Sequence, residues 1–318
     1  MDSEPRELER RPRRKSWVRR GAHLALRAAL IWGAIVSLFA VFQRSLIYVP
    51  TREPNLAASR SGLAPGLAFD VQVESDGVTL HGWHCVPRKS KSANVAEANS
   101  KLLDADWVVL FFSGNAGHRA YRVDEIELLQ QQGCHVFLFD YRGYGDNEGK
   151  PSEAAFAADA QRIWNHVTND LKVPREKVIL VGESLGGGVA VRLASDLCAR
   201  GEAPGGLLLR STFSSLADVG QFHFPWLPVR LALLDRYPSE ERIRTVTCPI
   251  LHIHGTSDTV VPERFGRKLF AAAPARSTSG VEKRFVALKN VDHNDVLVVA
   301  ADQVMRAVGD WLGELRKG

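Results

Sequence analysis

Gly182-Glu183-Ser184-Leu185-Gly186 places a serine in a G-x-S-x-G frame. A serine hydroxyl is a weak nucleophile at neutral pH. It needs a base within hydrogen-bond reach, and the base needs a carboxylate to orient it. His293 lies in Val291-Asp292-His293-Asn294-Asp295 and is the only histidine downstream of His254. Asp258 closes His254-Gly255-Thr256-Ser257-Asp258. The order Ser184, Asp258, His293 is a nucleophile–acid–base order that follows a G-x-S-x-G turn. The chemistry expected is acyl transfer through a covalent intermediate, with no cofactor and no metal.

That chemistry also needs N–H donors for the oxyanion. One is the backbone N–H of Leu185, next after the nucleophile. The second is expected from the turn Ser113-Gly114-Asn115-Ala116-Gly117-His118, with Asn115 favoured and Ala116 the alternative.

These residues work only if the elements around them bring them to one edge. Lys177 to Val181 reads as a buried strand, and Val189 to Cys198 as a helix. Strand, glycine turn and helix leave Ser184 exposed at the carboxyl end of the strand. Strand-length apolar runs recur at 69–74, 78–85, 107–112, 134–140, 177–182, 206–210, 249–254 and 283–288. Asp76-Gly77 between the first two is a hairpin signal. The later runs alternate with helical stretches near 119–132, 153–170, 185–200, 262–273 and 295–315. A hairpin followed by repeated strand–helix units predicts an α/β fold with a mainly parallel, eight-stranded sheet covered on both faces. Asp258 and the His293 loop then also follow strands and share the edge of Ser184. The polar segment 87–105 reads as a surface insertion. Residues 213–245, with Phe213, Phe222, Phe224, Trp226 and Tyr237 broken by prolines, read as a small lid suited to an apolar acyl pocket.

The chain has 318 residues, 41 Lys+Arg, 36 Asp+Glu and a formal charge of +5. Residues 1–20 hold eight basic and four acidic side chains, so the remainder carries only +1. A basic tail on a near-neutral body argues against a nucleic-acid reader. Four cysteines exclude a disulfide scaffold; Cys85, Cys134, Cys198 and Cys248 read as buried thiols. His252 and His254 share one strand face, but no third residue is spaced to complete a zinc site.

Ala28 to Phe42 is uncharged and mostly apolar, and seven basic residues with no acid occupy 10–20. A spanning helix needs about 20 residues. The run therefore predicts a signal anchor over 22–43, with Arg27 snorkelling toward the cationic side. A cleaved signal peptide lacks a suitable small-residue cleavage site, and a surface-bound amphipathic helix is the remaining alternative. The organisation expected is a basic arm (1–21), an anchor (22–43), a connector (44–66) and a catalytic domain (67–318). The positive-inside rule keeps the arm cytoplasmic and puts the domain on a periplasmic or lumenal side.

With these residues in hand, the chain resembles the α/β-hydrolase superfamily, and within it the membrane-anchored α/β hydrolase domain-containing protein 13 type. The likeness rests on Ser113-Gly114-Asn115-Ala116-Gly117, Asp140-Tyr141-Arg142-Gly143-Tyr144-Gly145, Gly182 to Gly187, Ser211-Thr212-Phe213, His254 to Asp258 and Asp292 to Asp295. The hydrophobic lead followed by Gln43-Arg44-Ser45-Leu46-Ile47-Tyr48 fits as well. The resemblance implies a serine hydrolase of esters, thioesters or amides, acting on a small molecule or an acylated protein. Two positions depart from the family pattern: Ser113-Gly114 replaces His-Gly, and Arg210 stands where an acidic residue is common. A serine peptidase would use the same three residues. A non-catalytic binding module or a membrane-tethered adaptor would be indifferent to Ser184.

Overall fold

The structure, a computed structural model, describes residues 14–317. The first thirteen residues of the basic arm lie outside the described residues. The chain forms two compact units, one ending at Gln43 and one running from Arg44 to Gly318. The described residues of the first unit are helical. Its helix α1 (Arg14–Ile47) starts inside the expected arm and runs on four residues into the second unit. Within Arg19–Ile47 the most apolar window of 18 residues has a mean hydropathy of 2.1, and the helix is long enough to cross a bilayer.

In the second unit the strands are β1 (Val49–Pro50), β2 (Ala68–Ser75), β3 (Val78–Cys85), β4 (Val108–Phe112), β5 (Ala116–Gly117), β6 (His135–Phe139), β7 (Val178–Glu183), β8 (Gly206–Arg210), β9 (Ile250–Gly255) and β10 (Arg284–Leu288). The helices are α2 (Val95–Ser100), α3 (Val123–Gln131), α4 (Glu153–Asn165), α5 (Leu185–Ala199), α6 (Leu216–His223), α7 (Val229–Ala232), α8 (Ser239–Arg242), α9 (Glu263–Ala272) and α10 (Val296–Leu315). Eight strands form one sheet in the order β10-β9-β8-β7-β4-β6-β3-β2. β3 pairs antiparallel with β2 and β6, and the other neighbours are parallel. Each corresponds to one of the eight apolar runs.

The hairpin β2–β3 turns on Asp76 and Gly77, both at positive φ (47° and 75°), the backbone of a two-residue primed turn. β4, β6, β8 and β9 are buried along their whole length, as parallel strands covered on both faces must be. Alternation along β4 feeds two cores. Val108, Leu110 and Phe112 join Phe156, Trp164, Val189 and Leu193 of α4 and α5. Val109 and Phe111 join Ile126 and Leu129 of α3 and Val304, Val308 and Trp311 of α10. This two-layer cover holds the strand ends that carry the candidate residues.

Two segments gain detail beyond the sequence reading. The insertion 87–105 contains α2, capped by Asn94, whose side chain accepts from Glu97 N–H at 2.9 Å. Residues 213–245 fold into α6, α7 and α8. Within them Phe213 and Tyr237 are buried in the core, while Phe222, Phe224 and Trp226 are exposed.

Candidate active site

β7 ends at Glu183 and α5 begins at Leu185, so Ser184 alone makes the turn. Its backbone sits at φ 50°, in the region that side chains disfavour. The glycines make this possible. A Cβ on Gly182 would lie 2.6 Å from the Gly186 carbonyl, and one on Gly186 would collide with the Phe112 carbonyl of β4. Ser184 N–H donates to the Arg210 carbonyl at 2.9 Å, and Thr212 Oγ1 donates to the Ser184 carbonyl at 2.7 Å. A serine before a helix commonly caps it, as Ser152 and Ser215 do for α4 and α6. Ser184 makes no such bond.

Its hydroxyl instead donates to His293 Nε2 at 3.1 Å, and His293 Nδ1–H donates to Asp258 Oδ2 at 2.7 Å. The three side chains thus arrive from three loops, after β7, β9 and β10. The second Asp258 oxygen accepts the N–H groups of Val260 and Val261 at 3.0 and 2.7 Å. His254 Nε2 lies 3.3 Å from Asp258 Oδ2 and also donates to the Val261 carbonyl at 2.8 Å. Burial alone would raise the Asp258 pKa. Hydrogen bonds from His254 and His293, the His293 charge and the Val261 N–H outweigh it and bring it down to about 2. A carboxylate held ionised beside Nδ1 fixes the tautomer that leaves Nε2 free to accept the serine proton.

Asp292 and Asp295 are occupied elsewhere. Asp292 accepts from Thr259 N–H at 2.7 Å, and Asp295 accepts from Asp292 N–H at 2.7 Å. His252 and His254 are fully buried strand residues. Among the described residues no three His, Cys, Asp or Glu side chains are grouped to hold a metal ion.

Leu185 N–H is the first of α5 and has no partner one turn back. The Asn115 backbone lies in the turn between β4 and β5, which packs against the start of α5 through Gly186. The Asn115 side chain is an anchor: its amide donates to the Ile47 carbonyl, and its oxygen accepts from Tyr144 Oη at 2.9 Å. Ala116 is a ladder residue of β5, paired in parallel with Val49.

Sequence reasoning missed a charge cluster beside Ser184. Glu183 pairs with Arg122 at 2.7 Å and with Arg210 at 3.1 Å, and it accepts the Gly114 N–H at 3.2 Å. Arg210 also pairs with Glu125 at 2.9 Å. Burial pushes the Glu183 pKa up, but the charges of Arg210 and Arg122 and the Gly114 N–H hold it below the ordinary value. The cationic residue that departs from the family pattern thus has two acidic partners, and the cluster ties β7, β8, α3 and the turn after β4 together. Asp140 braces the same region, accepting Arg119 N–H at 2.7 Å and pairing with the buried Arg119 guanidinium.

The model of the alpha/beta hydrolase fold family matches residues 108–227. An uncharacterized protein of Mycobacterium tuberculosis is 40% identical over 287 residues, covering 90% of this chain and 92% of its own. The chain belongs to the α/β-hydrolase family. The lysophosphatidylserine lipase ABHD12 of Danio rerio is 32% identical over 271 residues, covering 77% of this chain and 69% of its own. Among solved structures, an esterase of Pyrococcus furiosus superposes with a TM-score of 0.60 at 21% identity, over 84% of this chain and 97% of that one. At that identity it speaks for the fold. The expected α/β-hydrolase fold is the fold of this family member.

Proposed function

We propose that the protein is a membrane-anchored serine hydrolase that cleaves carboxylic esters of acylated amphiphiles through an acyl-enzyme. The observation that carries this reading is the relay of 3.1 Å and 2.7 Å from Ser184 through His293 to Asp258. Support for an ester comes from the relative named as a lysophosphatidylserine lipase. Thioesters follow the same path and form the nearest alternative substrate.

In the proposed reaction Ser184 Oγ attacks the acyl carbonyl while His293 Nε2 takes its proton. The carbonyl oxygen becomes an oxyanion that the N–H groups of Leu185 and Asn115 receive. Asp258 stays ionised and stabilises the imidazolium. The intermediate collapses as His293 gives the proton to the departing alkoxide or thiolate. Water then repeats the sequence on the acyl-enzyme and releases the acid. Nothing in these steps calls for a cofactor.

The membrane part of the proposal rests on the apolar stretch and the basic residues that precede it. Residues 1–21 form a cytoplasmic arm, 22–43 cross the bilayer, and 44–66 lead into the catalytic domain at 67–318, on the periplasmic or lumenal side. Reporter fusions after residue 318 test the orientation. A reporter that needs the periplasm should be active there, and one that needs the cytoplasm silent.

A fluorophosphonate probe on the full chain tests the chemistry. Wild type should label and Ser184→Ala should not. Equal labelling of both would overturn the assignment, and Ser184-dependent labelling without turnover of any ester or thioester would favour a serine peptidase, which uses the same three residues.

A further inference from the structure

Many of the large apolar side chains that the hydrolase unit exposes lie in segments that follow the carboxyl ends of sheet strands, the edge that carries Ser184. Tyr121 (62% exposed) follows the oxyanion turn, and Phe222, Phe224 and Leu231 (43%, 45% and 83%) lie between β8 and β9. Val260 (44%) is two residues beyond Asp258, and Val298 (86%) is five beyond His293. Each leaves the carboxyl end of a sheet strand. Leu103 (53%), by contrast, precedes β4 and so belongs to the amino end of its strand. An apolar rim of this kind on one side of a soluble unit marks a place where something apolar sits.

Three observations select the occupant. From Val219 to Leu234 there is no carboxylate, and aromatic and aliphatic residues dominate. Cations accompany them: the Arg264 guanidinium lies 4.2 Å from the Phe222 ring centre, and the largely exposed Arg230 pairs with Asp218 at 2.9 Å. Aromatic side chains with arginines beside them suit the boundary between acyl chains and phosphate headgroups. Chain length supplies the third. Ile47, whose carbonyl holds the Asn115 side chain, is four residues after Gln43. Four residues reach at most about 14 Å. If 22–43 is in the bilayer, the active-site edge is tethered within that distance of its surface.

We propose that this rim inserts into the surface of a phospholipid bilayer, so that the mouth of the site opens onto lipid rather than onto water. A substrate acyl chain then passes from the membrane to Ser184 without full exposure to solvent. The proposal rests on the anchor reading and not on the ester chemistry.

The test uses the full chain with Ser184→Ala and Cys198→Ser, so that neither turnover nor the half-exposed native thiol interferes. An environment-sensitive fluorophore is attached through Leu231→Cys, Leu103→Cys or Leu30→Cys. The protein is reconstituted at low density in phosphatidylcholine vesicles, with or without a spin label on the lipid chain near the headgroup. The label at 231 should be blue-shifted and quenched several-fold more by the lipid spin label than the label at 103. Quenching at 231 no greater than at 103 overturns the proposal. So does a blue shift at 231 that grows with protein density without lipid quenching, which would mean a second copy covers the rim. Position 30 reports the anchor separately: quenched at 30 but not at 231, the anchor stands and the docking fails.

Discussion

Glu183, the residue before Ser184, and Arg210 are register partners on adjacent strands and form an ion pair of 3.1 Å. Both are screened from solvent, so neither charge has water to fall back on. Removing one partner of such a pair costs about 3–5 kcal/mol, far more than a surface pair. Arg122 remains beside Glu183, so the lower end of that range is expected for Arg210→Ala. Denaturant unfolding measures it. A change below about 0.5 kcal/mol, the size of an ordinary surface substitution, would contradict the account.

The relay makes the candidate triad act as one unit. Ser184→Ala and His293→Ala should each lower kcat by roughly 10³ or more, and the double variant should be little worse than either. Steady-state rates on a short-chain ester give the numbers. Multiplicative losses in the double variant would mean that the two residues act separately.

Three aspartates lie near His293, and the hydrogen bonds separate them. Asp258→Asn removes the acceptor for Nδ1–H, and the wrong tautomer becomes accessible. Its loss in kcat should exceed that of Asp292→Asn or Asp295→Asn, whose bonds run to Thr259 and the Asp292 backbone. With all three variants folded, a larger loss from Asp292→Asn would reassign the acid.

Stability should fall in acid in two windows. His84 and His135 bond each other at 3.0 Å inside the unit. Burial and the neighbouring imidazole hold His84 at about 3, while burial and the Lys101 charge hold His135 at about 4. The unfolded rings take protons near pH 6.5, so the unfolded state binds more protons below that value. Stability therefore drops as pH falls from about 6.5 toward 4, by about 1.4 kcal/mol per pH unit for each ring. Asp258, lowered to about 2, stabilises above its unfolded value of 3.8 and loses that contribution only between the two. Unfolding curves of wild type and His84→Gln at several pH values check this. An unchanged slope in the variant would remove His84 from the explanation.

The sheet and the three candidate residues were legible because their signals are local or ordered along the chain. β4, β7, β8 and β9 are short apolar runs, and Asp258 and His293 each follow one. What stayed hidden depends on partners far apart in sequence. Arg210 looks anomalous until Glu125 and Glu183 stand beside it. Asn115 was read for its backbone, but its side chain finds Ile47 and Tyr144 only after folding. Phe213 and Tyr237 read as pocket aromatics, yet Tyr237 points inward to Tyr48 Oη at 3.0 Å. The helices α6 to α8 are too short and proline-broken to show a helical period.

Residues 44–51 belong to the site's framework as much as to the approach from the anchor. Arg44 and Tyr48 hold Asp235 at 2.9 and 3.0 Å, the Ile47 carbonyl holds the Asn115 amide, and Thr51 Oγ1 accepts Gly117 N–H at 3.2 Å. The boundary at which the chain can be shortened is therefore sharp. A protein beginning at Arg44 keeps every one of these bonds. One beginning at Asn55 loses them all, and with them the outer support of the turn that presents Asn115. Removing the proposed anchor and removing the support of the Asn115 turn are separated by little more than ten residues, so a truncation that is soluble but sluggish would report the position of the cut rather than a need for membrane.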